Sequence, residues 1–279
     1  MSNTKYIYPQ LSLRPLEDLG LFRLGGPGLA NCLFVAARAY LRARELGCEM
    51  LRPTWERLSI GQVLRGERDK RFYCGLFKDE SVWKKLRKLF LIRLGTSVEV
   101  VEGLGRYFED ILDRADDVRK WFFDAVEPLA INQVPPDMRK SLAVHVRLGD
   151  FPDSMRVTIK WYRAIVDQVR DAVGHELDIQ IFSDGRDEEL TELLDVPGVR
   201  RVFYGNALAD IVAISRCGML VAGKYSTFSA WGAFLGNVPS IFSAIDYGRV
   251  LPSQELDVRL GESCVVPEAF LERVKGLLK

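Results

Sequence analysis

Between Leu142 and Phe242 the chain alternates short, largely apolar runs with stretches whose apolar residues recur every three or four positions. Leu142–Val146, Leu177–Phe182, Val202–Tyr204, Met219–Ala222 and Val238–Phe242 read as strands. Ile159–Val173, Glu188–Leu194, Leu208–Ser215 and Phe228–Leu235 read as helices, and Pro267 opens a last one. Strands with so little polar alternation suit a parallel sheet, whose two faces are both covered by helices. Parallel neighbours cannot be joined by a hairpin, so a helix must cross between them. The order therefore predicts an α/β fold with a parallel sheet in the C-terminal half.

The first half is less regular. Leu19–Leu24, the loop Gly25-Gly26-Pro27-Gly28, Ala30–Leu46 and Glu49–Leu51 predict a strand–glycine loop–helix–strand unit. Ser81–Ile92 and Arg106–Val126 read as amphipathic helices, and Pro135-Pro136 as a linker. At 279 residues two domains are expected, 1–139 and 140–279.

Lys and Arg exceed Asp and Glu by one (39 against 38), which argues against a nucleic-acid partner. The polar start, Met1 to Gln10, does not read as a signal peptide, and no apolar run is long enough to span a bilayer, so a cytoplasmic location is expected. Five widely spaced cysteines without a CxxC pair read as reduced thiols. With two histidines and no Asp-Xaa-Asp sequence, no metal and no cofactor are expected.

In open α/β sheets ligands bind at the carboxyl ends of the strands. Three such ends carry unusual residues: His145-Val146-Arg147-Leu148-Gly149-Asp150-Phe151, Phe182-Ser183-Asp184-Gly185, and Gly223-Lys224-Tyr225-Ser226-Thr227-Phe228-Ser229. A Gly/Ser/Thr turn that opens a helix offers backbone N–H groups to a phosphate. A guanidinium at a neighbouring strand end would clamp the same anion. Each feature also has a plain structural reading. Arg147 can pair with Asp150 or Asp153, His145 can be a satisfied core residue, and Ser183-Asp184-Gly185 can be a turn.

Taken in order, these segments resemble glycosyltransferase family 11, the α-1,2-fucosyltransferases, and more loosely the fucosyltransferase superfamily. His145 to Phe151 is similar to the family's His-Xaa-Arg-Arg-Gly-Asp-Tyr, and Phe182 to Gly185 to its Phe-Ser-Asp-Asp. Ser226 to Leu235 runs without a gap beside Ser-Ser-Phe-Ser-Trp-Trp-Gly-Ala-Trp-Leu, and Gly28 to Phe34 resembles Gly-Leu-Gly-Asn-Gln-Leu-Phe. Two departures stand out: Leu148 replaces the second motif arginine, and Gly185 replaces the second aspartate.

The resemblance implies a GT-B-like architecture of two Rossmann-type α/β domains. It implies inverting transfer of fucose from GDP-fucose to a glycan hydroxyl in α-1,2 linkage, for a surface polysaccharide or glycolipid, with peripheral contact at the inner membrane face. Another GDP-sugar donor, or a non-catalytic binding protein, is the alternative. By resemblance Arg147 holds the β-phosphate, with Ser226, Thr227 and Phe228 around it. His145, Ser183, Asp184 and Lys224 belong to the same donor site, and Gly28 and Asn31 face the donor from the first domain. Asp150 is the candidate base, with Asp153 beside it. Lys224, Arg156 or Arg186 would replace the missing charge, and Tyr107, Trp55 or Trp83 would stack on the acceptor.

Overall fold

A computed structural model describes residues 4–58, 72–95, 97–149, 152–174, 176–244 and 248–278. The chain divides into two compact units, Met1–Asn132 and Gln133–Lys279.

The first unit is built on a three-stranded parallel sheet. Its central strand, β1 (Tyr6–Pro9), lies in the stretch that the sequence reading passed over as merely polar. Next come β2 (Arg23–Leu24), α1 (Leu29–Leu46), β3 (Glu49–Met50) and β4 (Arg57–Leu58). They are followed by α2 (Val82–Leu94), β5 (Val98–Val101) and α3 (Ala115–Ala125). β1 pairs with β3 on one side and β5 on the other. The expected strand before the glycine loop is therefore not a neighbour of the strand after α1. β2 pairs instead with β4. Ile7, Ala39 and Ala43 form the buried contact between β1 and α1. α1 ends where predicted, at Gly47 in the left-handed conformation (φ 63°) that glycine adopts without a Cβ clash.

The second unit follows the predicted alternation closely. It runs β6 (Met138–Val146), α4 (Ile159–Val173), β7 (Asp178–Ser183), α5 (Asp187–Leu194) and β8 (Val199–Arg201). Then come α6 (Ala207–Arg216), β9 (Cys217–Ala222), α7 (Thr227–Gly236), β10 (Ser240–Ser243), β11 (Asp257–Leu260) and α8 (Glu268–Leu278). All six strands are parallel, in the order β11-β10-β9-β6-β7-β8. Counted from β6, that is 3-2-1-4-5-6, the doubly wound Rossmann order. Leu142, Val144 and Val146 join α4, α5 and α8 in one buried cluster. The alternate residues of the strands face the other way, where α6 and α7 pack on each other and on β6 and β9.

Two strands differ from expectation. The apolar run Val202–Tyr204 lies beyond β8, whose ladder on β7 spans Val199 to Arg201. An edge strand has one unpaired side, and here it carries charge, with Arg200 on Asp178 and Arg201 on Asp187. β11 escaped notice because Asp257-Val258-Arg259-Leu260 holds only two apolar residues.

Candidate active site at the sheet's switch point

Strand order reverses between β6 and β9, whose connections leave in opposite directions, and the carboxyl ends beside such a reversal are where open α/β sheets bind ligands. His145 is the next-to-last residue of β6 and sits opposite Ala222 of β9. Its side chain faces α7. Nδ1 lies 3.2 Å from Ser226 Oγ, and the ring stacks on Phe228 at 5.2 Å between centroids. Ser226 is the N-cap of α7, its Oγ accepting from Ser229 N at 3.4 Å. One buried histidine thus ties the end of β6 to the start of α7. The preceding residue, Tyr225, is held at φ 59°, a left-handed conformation unusual for a residue with a Cβ. Lys224 Nζ stands 5.7 Å from the centre of the Tyr225 ring.

On the other side of β6 the chain turns out as Arg147-Leu148-Gly149. This turn is organised by Asp184, which follows β7. Asp184 Oδ1 accepts from Leu148 N at 2.8 Å and Gly149 N at 3.1 Å, and Oδ2 lies 3.9 Å from Arg147 Nε. A Cβ on Gly149 would come within 2.8 Å of the same carboxylate. The Ser183-Asp184-Gly185 turn is itself braced, with Gly185 N donating to Ser183 Oγ at 3.0 Å. Sequence reasoning missed its main support, Arg201. That side chain reaches from β8 to the carbonyls of Ser183 (3.0 Å) and Gly185 (2.7 Å). The only signal was its place directly before the apolar run Val202–Tyr204, which drew the strand assignment past it.

The structure therefore gathers His145, Arg147, Ser183, Asp184, Lys224, Ser226, Thr227 and Phe228 at one edge of one sheet. Asp150 lies outside the described residues. Asp153 is held by Arg156 at 2.9 Å and is almost fully exposed. Among the cations weighed for the missing charge, Arg156 also donates to the Gly149 carbonyl at 3.3 Å, which places it on the Arg147 turn. Arg186 points to solvent and pairs with Glu189. In the first unit, Gly28 caps α1 with no side-chain bond, and Asn31 lies in its first turn. The loop before it is stiffened by Arg23, fully buried, which donates to the Gly25 carbonyl and to Cys32 Sγ. Trp55 is not open to a sugar: it is buried and stacked on Phe77 at 3.9 Å. Tyr107 packs edge-on against Phe34, and Trp83 is exposed.

Burial lowers the His145 pKa to about 4, outweighing the Asp184 carboxylate, which raises it, and Arg147 adds to the lowering. The imidazole is neutral at pH 7, as a hydrogen-bonded partner of a serine hydroxyl should be. Unfolding returns it to an ordinary value near 6.5. Below that pH the unfolded chain takes a proton that the folded chain refuses, so stability falls as pH falls. The expected loss is up to about 3 kcal/mol, complete near pH 4. Urea unfolding of wild type and His145→Asn at pH 7, 6, 5 and 4 checks this. The pH slope should flatten in the variant.

No family model and no curated protein matches the chain. It is similar to solved structures. Fucosyltransferase NodZ from Bradyrhizobium is 12% identical with a TM-score of 0.44, over 85% of this chain and 94% of that one. FUT1 of Arabidopsis thaliana in complex with GDP is 12% identical with a TM-score of 0.46, over 90% and 71%. POFUT1 in complex with GDP-fucose is 12% identical with a TM-score of 0.31, over 88% and 74%.

Proposed function

We propose that this chain is an inverting, metal-independent glycosyltransferase of GT-B-like architecture. It moves fucose from GDP-fucose to a galactose-type hydroxyl of a glycan, in α-1,2 linkage. The reading places it in the cytoplasm, in surface polysaccharide or glycolipid synthesis, with peripheral contact at the inner membrane face. One observation carries it. The three motifs that resemble the family come together at the switch point of a Rossmann-ordered sheet, where Ser226 bonds His145 and Asp184 holds the Arg147 turn.

The difficult step is departure of a diphosphate that gains negative charge as the sugar–oxygen bond breaks. Fixed positive groups aimed at that charge lower the barrier without reorganising. Arg147 supplies a guanidinium. The start of α7 supplies the Ser226 and Thr227 hydroxyls and the backbone N–H groups of a first helical turn. Ser183, Asp184, His145 and Lys224 complete the donor site. Asp150, directly after Gly149, takes the proton of the acceptor hydroxyl as it attacks the face opposite the leaving group.

Thermal unfolding with GDP, GDP-fucose, GDP-mannose and UDP, each with EDTA, tests the donor assignment. A ligand of the folded state raises the midpoint by mass action. GDP and GDP-fucose should raise it, and UDP should not. Equal shifts with GDP-mannose would move the assignment to another GDP-sugar. No shift with any guanine nucleotide would end the donor-site reading. The loss of the second motif arginine to Leu148 favours one further reading, a protein that binds GDP-fucose without turning it over. GDP release in the presence of a galactoside acceptor separates the two.

A further inference from the structure

Gly223 carries the chain out of β9 into the turn before α7, and a neighbour, not its backbone, demands glycine there. Its φ lies outside the left-handed region, so the main chain would admit any residue. A Cβ at this position would run into the hydroxyl oxygen of Tyr162, which stands on the first turn of α4. The rest of its surroundings would accept it. Tyr162 Cζ would lie 3.5 Å away and Val157 Cγ2 3.4 Å, both ordinary contacts. One oxygen atom therefore fills the space of a side chain at 223.

Tyr162 is not free to step aside. It is 1% exposed, and its ring packs edge-on against Trp161 at 5.1 Å between centroids. Trp161 is fixed in turn, with Nε1 donating to the Gly261 carbonyl at 3.0 Å and its backbone N–H donating to the cap Thr158. The Tyr162 hydroxyl makes no hydrogen bond among the described residues. Burial, with the Asp184 carboxylate adding to it, pushes its pKa well above the usual phenol range, so it stays neutral. The turn beyond Gly223 has little else to hold it at this end. Gly223 N reaches the His145 carbonyl only at 3.5 Å, and Tyr225 is exposed and left-handed. The next side-chain tie is Ser226 on His145.

A rigid oxygen thus meets a loosely tied turn at the end of β9, beside the switch point. Packed groups resist compression, so the contact sets how near the turn can come to α4. We propose that Tyr162 is a positioning residue for the donor site: its hydroxyl acts as a spacer that fixes where the turn Gly223–Ser226 stands, and so where the first N–H groups of α7 point. Ser226 on His145 holds one end of the turn, and Tyr162 against Gly223 sets the other. The proposal rests on the donor-site reading given above and adds to it a residue that no motif marked. Tyr162 acts through the turn and needs no contact with the ligand.

The test is GDP affinity by titration calorimetry for the full chain, Gly223→Ala, Tyr162→Phe and the double variant, with urea unfolding beside it. Gly223→Ala should weaken GDP about tenfold or more, since a displacement of about 1 Å is enough to spoil a well-aligned bond to phosphate. Tyr162→Phe should weaken it about threefold or more by leaving the turn unsupported, with stability close to wild type because no hydrogen bond is lost. The double variant should return to within about twofold of wild type, because the added methyl takes the place of the missing oxygen. It and Tyr162→Phe keep the test readable if Gly223→Ala folds poorly. A pair that serves packing alone would change stability and leave GDP affinity untouched. That result, or a double variant that binds GDP no better than Gly223→Ala, would overturn the proposal. Wild type that binds no GDP would end the donor-site reading and this role with it. Wild-type binding that is indifferent to these substitutions would end this role alone.

Discussion

Arg147→Ala is expected to lower transfer from GDP-fucose about 10²–10³-fold, with a thermal midpoint close to wild type. The size follows from where the guanidinium stands. It follows the end of β6 and is 30% exposed, so its removal opens no core cavity. Its ion pair with Asp184 is long, at 3.9 Å, and partly solvated, which makes it worth little to stability. A donor aimed at a departing phosphate is worth far more, because its bond strengthens as charge develops. With Leu148 in the next position, no second motif guanidinium can share the load. Arg147→Lys should recover only part of the rate, since an ammonium cannot bind two phosphate oxygens in one plane. The plain alternative, that Arg147 only steadies the Asp184 turn, predicts the reverse: near-normal transfer and a small change in midpoint. Steady-state kinetics on both variants, with urea unfolding beside them, tells the two apart.

The second unit was legible in the sequence because burial on both faces leaves a parallel sheet little freedom. The central strands had to be apolar and the crossovers between them helical, so α4 falls at its predicted bounds, while the edge strands β8 and β11 carry charge and were not read. The first unit was not, because its strands are short and carry mixed residues. β1 is Tyr6-Ile7-Tyr8-Pro9, and its partners β3 and β5 include Glu49 and Glu99. Such strands leave no apolar run to read, and only the pairing reveals them. α2 shows a deeper limit. Its periodicity was visible, yet Val82, Trp83, Leu86, Phe90 and Leu94 are all exposed. Periodicity finds the apolar face without telling which way it points. In the site, the motif residues were found from their positions at strand ends. What could not be found was how they hold each other. That Asp184 would bind the backbone of Leu148 and Gly149 depends on β6 and β7 being neighbours in register, Val146 opposite Ser183. Arg201 belongs to the same class, a support supplied by a strand distant in sequence.

That same register brings the two departures from the family motif into contact. Leu148 is buried at 5% exposure, and a Cβ on Gly185 would lie 2.5 Å from its Cδ1. Where the motif has arginine and aspartate, this chain has an apolar side chain resting on a glycine. Each substitution toward the motif should therefore fail alone. Leu148→Arg puts a charge into a space lined for a leucine and is expected to cost about 3 kcal/mol. Gly185→Asp forces its Cβ into Leu148 and is expected to cost about 1–3 kcal/mol. Made together, the two changes remove the clash and give the guanidinium a carboxylate. The double variant should then be more stable than the sum of the singles by at least about 2 kcal/mol, a coupling typical of side chains in contact. Urea unfolding of the four proteins measures this directly. Additive costs would mean that the positions do not communicate and that the contact is incidental. GDP binding by the double variant gives a second reading. A second guanidinium beside Arg147 should tighten it by about tenfold if the diphosphate sits at this turn. Restored stability with unchanged GDP affinity would place the diphosphate elsewhere along the sheet edge, and the role assigned to Arg147 would fall with it.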